Sequence, residues 1–128
     1  MALEIIDPPG LWKSPRYANI VVAGDFAFIA GQTAFDEQGN VVGVGDIDAQ
    51  CERALQNLMI CLRAVKAAPQ DIVKVTNYVT DRAYLARLVE ARNRIMGELR
   101  TASTAVVSGL ARDTLLVEVD AIAYLARR

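Results

Sequence analysis

The chain is predicted to be an α+β domain with one mixed sheet and two helices on the same face of it. Three observations carry that reading. Apolar residues recur at helical spacing in two separate stretches, β-branched segments flank both of them, and the order strands, helix, strand, helix, strands makes two crossover connections. Each crossover is expected to be right-handed, which brings both helices to one face. With 128 residues, 53% hydrophobic and 23% charged, the expectation is a single domain over residues 1–128, large enough to bury a core.

The first periodic segment runs Asn19-Ile20-Val21-Val22-Ala23, turns at Gly24-Asp25 and resumes as Phe26-Ala27-Phe28-Ile29-Ala30, the pattern of a hairpin. After the turn signal Asp36-Glu37-Gln38-Gly39-Asn40, Val41-Val42 is expected to add a short strand before Gly43 and Gly45. Over residues 47–67, Cys51, Ala54, Leu55, Leu58, Leu62 and Val65 mark one helical face, with Asp46 or Asp48 as cap and Pro69 as stop. Ile72-Val73-Lys74-Val75-Thr76-Asn77-Tyr78-Val79 is a strand. A second helix over residues 82–99 starts behind Thr80-Asp81 and buries Leu85, Leu88, Val89, Ile95, Met96 and Leu99. Its Arg87, Glu90 and Arg94 are spaced to pair with one another on the solvent side.

Strands at residues 103–107 and 115–125 close the chain, separated by a turn region at Gly109. In the last strand Val117, Val119, Ala121, Ala123 and Leu125 are all apolar, whereas the alternate face carries Leu116, Glu118, Asp120, Ile122 and Tyr124. The first set packs on the helices. The second is more apolar than a soluble monomer usually exposes, which predicts self-association through the sheet, with the two carboxylates at or near a subunit interface.

Composition excludes much. There is no histidine, so Ser-His-Asp or Cys-His catalysis, an HExxH metal site and an imidazole switch cannot be built within the chain. Cys51 and Cys61 fall on one predicted helix, about 15 Å apart along its axis, too far to bridge. They read as small apolar residues in a reduced protein, and no zinc site is expected. Residues 1–10 hold acids and prolines where a signal peptide would have a basic start and an apolar run. No uncharged stretch approaches the roughly 20 residues of a membrane span, so the expected location is cytoplasmic, with no membrane contact. Fourteen basic against fifteen acidic residues give a net charge of −1, and only Arg127-Arg128 forms a basic run, so no nucleic-acid partner is expected. Phosphate-binding glycine motifs are absent.

Two chemical candidates emerge from the pattern. Glu118 and Asp120 are same-face carboxylates beside apolar groups, a setting that shifts protonation toward acid–base work; the alternative is a pair of hydrated surface acids. Arg100 precedes the strand at Ser103, where its guanidinium can fork onto a carboxylate or, alternatively, serve as a helix C-terminal cation.

Four blocks in order resemble the RidA/YjgF (endoribonuclease L-PSP-like) family: Phe28-Ile29-Ala30-Gly31-Gln32, Ala54-Leu55-Gln56-Asn57-Leu58, residues 71–81 and Leu116-Val117-Glu118-Val119-Asp120-Ala121-Ile122-Ala123. The resemblance implies a chorismate-mutase-like fold, a homotrimer with sheets facing inward, and ligand clefts between subunits. It also implies hydrolysis of small enamines and imines to a carbonyl compound and ammonia, without cofactor or metal. Glu118 takes the place of the water-positioning glutamate, with Tyr17, Ala30, Gly31, Ala102 and Thr104 around the ligand. Where the family reads Pro-Ala-Arg-Ser-Thr, this chain reads Arg100-Thr101-Ala102-Ser103-Thr104, and Ile-Ser-Gly becomes Ile29-Ala30-Gly31. The carboxylate-binding arginine is thus replaced by Ala102, and a cleft hydroxyl is missing at Ala30. The expected substrate is an imine or enamine other than a simple 2-imino acid, with Arg100, about 6.6–6.8 Å from position 102 in an extended chain, as a substitute anchor. The alternatives are a non-catalytic binding or partner-docking trimer and, against the missing histidine, a ribonuclease.

Overall fold

In a computed structural model, which describes residues 3–126, the chain opens with a strand absent from the sequence expectation. Glu4–Ile6 (β1) pairs antiparallel with Ile20–Ala23 (β2), which makes the predicted hairpin with Phe26–Gln32 (β3). Gly24, at φ 59, takes the first turn position while Asp25 keeps negative φ, as a type II′ turn requires. The Val41-Val42 strand does not form: only an isolated bridge joins Phe35 to Val41. Arg127-Arg128 and the first two residues lie outside the described residues.

Ile47–Ala64 (α1) is capped by Asp46, whose carboxylate accepts from the Ala49 N–H. It stops before Pro69 because Lys66 turns left-handed at φ 58, and the Ala67 and Lys66 N–H groups donate back to the Leu62 and Arg63 carbonyls. Ile72–Val79 (β4) spans the predicted strand. The second helix is shorter than expected: a 3-10 turn at Arg82–Tyr84 leads into Leu85–Met96 (α2), and Gly97 at φ 81 ends it ahead of Leu99. Arg87 and Arg94 do not pair with Glu90. They reach across to Asp48 and to Glu52 (2.9 Å) on α1 and tie the helices together at an exposed seam. Ala102–Val107 (β5) and Val117–Tyr124 (β6) complete the sheet.

Strand order is β1-β2-β3-β6-β4-β5. The last strand is inserted at the centre, antiparallel to both β3 and β4, and β5 runs parallel to β4 at one edge. Both helices pack on one face, α1 against β3 and β6 and against α2. The odd residues of β6 are buried there with Leu55, Leu58 and Leu62, each Leu side chain contributing about 1.5–3 kcal/mol of burial. Cys51 and Cys61 are free and fully buried in this core, and burial pushes both thiols up to about 12. On the opposite face Phe26 stacks against Tyr124 at 5.3 Å, Phe28 pairs with Ile122, and Phe28 remains 45% exposed. This is the bare apolar face foreseen from β6. No helix among the described residues is long and apolar enough to cross a membrane.

Candidate functional site

The site begins with an irregularity in the ladder. Between β3 and β6, Ile29 pairs with Ala121 and Gln32 with Val119, so β3 carries one extra residue. Ile29 and Gln32 are both buried, and the bulge therefore turns two consecutive residues, Ala30 and Gly31, toward the open face. Over them lies Glu118. A Cβ built at Gly31 would meet the Glu118 Oε2 at 2.0 Å and its Cδ at 2.5 Å, so only glycine lets the carboxylate settle on this backbone.

A cleft of about 320 Å³ opens here, lined by Tyr17, Ala30, Gly31, Phe35, Ala111 and Glu118 among others. Burial raises the Glu118 carboxyl above the ordinary carboxylate range, and the neighbouring Asp120 charge adds to the effect. Asp120 itself accepts a hydrogen bond from the Tyr78 hydroxyl at 3.3 Å. Tyr17 is likewise raised, first by burial and then by Glu118, against a lowering by Arg112.

Buried amides hold these parts. Asn19 Nδ2 donates to the Trp12 carbonyl (3.1 Å) and to Asp7 Oδ1 (3.0 Å), and Gln32 Nε2 donates to Asn19 Oδ1 (3.2 Å), which seats the loop carrying Tyr17 against β3. Asn57 on α1 donates to the Thr33 and Phe35 carbonyls, both at 3.0 Å, and fixes the cleft wall beyond the bulge. Gln50, fully buried, donates to Gly43 and Thr114 carbonyls and accepts from the Leu116 N–H at 2.9 Å, setting the entry of β6 two residues before Glu118.

Of the residues singled out from sequence, Tyr17, Ala30, Gly31 and Glu118 share this cleft, and Arg100, Ala102 and Thr104 do not line it. Ala102 and Thr104 stand on edge strand β5, paired with Lys74 and Thr76 of β4, and Lys74 Nζ donates to Thr104 Oγ1. Arg100 is exposed in the connection ahead of β5, and α2 ends four residues before it with Arg94 in the last turn, so it is not a helix C-terminal cation. Sequence reasoning missed Arg112, Trp12 and Phe35. They come from loops without periodicity, and the one available signal, Trp12 five residues from Tyr17, points to Trp12 alone.

A sheet with two helices on one face, and a carboxylate seated on a bulge of the other, defines an α+β protein with an acidic group in the cleft of its open face. The family model described as Endoribonuclease L-PSP matches residues 12–125, and the chain belongs to this RidA/YjgF family. A RutC family protein of Pyrococcus abyssi is 37% identical over 97% of this chain and 98% of its own length. Another from Pyrococcus horikoshii is 38% identical over 84% and 86%. Among solved structures, a Thermotoga maritima protein superposes with a TM-score of 0.86 at 32% identity, covering 94% of this chain and 96% of that one. RidA from an Antarctic Psychrobacter gives 0.84 at 27% identity, covering 94% and 98%.

Proposed function

We propose that the chain hydrolyses small imines and enamines other than simple 2-imino acids, in a cytoplasmic homotrimer, without cofactor or metal. The observation that carries this reading is the Glu118 carboxylate, raised by burial and seated on Gly31 in the cleft beside Tyr17. An enamine first tautomerises to its imine. Glu118 then accepts a proton from water as the oxygen adds to the carbon of the protonated imine, giving a neutral carbinolamine. Glu118 returns that proton to nitrogen and takes the hydroxyl proton as the C–N bond breaks, so that ammonia and a carbonyl compound leave. A carboxyl whose affinity for protons is increased suits both halves of that exchange.

The trimer is supported by the exposed Phe28 beside Ile122 and by the separation of predicted site residues within one chain. In a trimer, β5 of a neighbouring copy would carry Ala102 and Thr104 to the cleft. The two free, buried thiols suit a reducing compartment. Ala30 and Ala102 offer only methyl groups where the resembled family has a hydroxyl and a guanidinium, which favours a second reading, a binding trimer without turnover.

Imines generated in situ by amino-acid and amine oxidases, with ammonia release timed, separate the two. Glu118→Gln is expected to lose at least about tenfold of the catalysed rate, within the range general acid–base groups contribute. Gly31→Ala, which displaces the carboxylate without removing it, is expected to lose rate as well. Equal rates for wild type and Glu118→Gln would overturn the hydrolase reading.

A further inference from the structure

Beside the cleft at Glu118 lies a second chamber of about 440 Å³, which shares Tyr17, Phe35 and Ala111 with it and adds Trp12, Arg16 and Arg112. The Arg112 guanidinium lies 4.5 Å from the Phe35 ring centroid and 6.0 Å from that of Trp12. Its Nη1 donates to the Gly39 carbonyl at 2.8 Å. That carbonyl is itself fixed, because Asp36 Oδ1 accepts from the Gln38 and Asn40 N–H groups, both at 2.9 Å. Gly39, at φ 81, presses so closely on Trp12 that a Cβ would come within 2.8 Å of the indole.

Ring faces and a carbonyl hold this cation. Among the described residues no carboxylate forms an ion pair with Arg112. A guanidinium oriented by uncharged partners, with N–H groups left over and its charge unpaired, is preorganised for an anion. The inner cleft is different, for Glu118 and Tyr17 are its ionisable linings and no cation is among them. A carboxylate attached to the reacting carbon would face the Glu118 charge there, whereas one carried into the outer chamber meets Arg112.

We infer that the outer chamber is an anion subsite, and that the ligand carries its carboxylate at the end remote from the C=N carbon, with that carbon over Glu118 and the carboxylate on Arg112. The placement of the reacting carbon rests on the hydrolase reading; the anion subsite stands on the chamber alone.

Glutaramate, a planar amide with a distant carboxylate, and pentanamide, the same shape without the charge, are the probes for calorimetric titration of the full chain. Wild type is expected to prefer glutaramate by about ten- to a hundredfold, the range of a charge-assisted hydrogen bond. Arg112→Gln is expected to lose the preference while still binding pentanamide, and Arg112→Lys to keep part of it. Equal affinity of wild type for both probes, no binding of glutaramate, or a preference that survives in Arg112→Gln would overturn the subsite. Preference without imine turnover overturns the hydrolase reading and leaves the subsite standing; turnover without preference does the reverse.

Discussion

Glu118 has a cost that pH reveals. Burial makes the folded protein hold this proton more tightly than the unfolded chain, so between the ordinary value of 4.5 and the raised folded value the native state binds more protons. The stability Glu118 contributes is therefore present below 4.5 and lost as pH rises through that window. Glu118→Gln, neutral throughout, is expected to melt above wild type at about pH 8, the gap closing as pH falls below the ordinary carboxylate range. Thermal melts across that range test it, and a constant gap would contradict the assignment of burial as the dominant cause. The same residue was legible in sequence through the alternation of β6 and the family blocks, and Gly31 with it. Their contact was not, since it depends on a bulge whose one extra residue leaves no mark on periodicity.

At the scale of elements, four amides do the positioning: Gln50 and Asn57 from α1, Gln32 from β3, and Asn19 from the end of the loop that carries Tyr17. Gln50→Leu would leave the Leu116 N–H and the Thr114 carbonyl without their partner, a loss of about 2–4 kcal/mol. Chemical denaturation is expected to show that loss with an unchanged slope. Strands with strong pattern, β4 above all, read correctly from sequence because β-branching and burial agree there. β1 did not, because three residues ahead of Asp7-Pro8-Pro9 are too short for any period to register. The end of α2 was overrun because Leu99 continues the apolar pattern past Gly97, and backbone conformation outranks hydrophobic spacing at that point.

At the scale of the molecule, the sheet has one covered and one bare face. Ile122 stands near the middle of the bare one, beside Phe28 on β3 and Lys74 on β4. Ile122→Lys is expected to fold, because the residue faces away from the helices, and to fall to the mass of a single chain in sedimentation or light scattering. Wild type is expected to sediment as three chains; an identical mass for both proteins would separate the bare face from assembly. Sequence pattern predicted this face from β6 alone, whereas the division of the expected site residues between the cleft and edge strand β5 became visible only with the strand order.

That strand order also sets the timetable of folding. β3 and β4 are both bonded to β6, which is synthesised after both, so a nascent chain that has reached β5 holds two strands of the future centre with one edge each unpaired. The long-range pairings that bind the hairpin half to the helical half wait for residues 117–124, which makes late, slow closure intrinsic to the topology. Until then those edges are open to pairing with other chains. The strand that brings Glu118 to the site also acts as the clasp of the sheet, and acquisition of the acid and completion of the fold are one event.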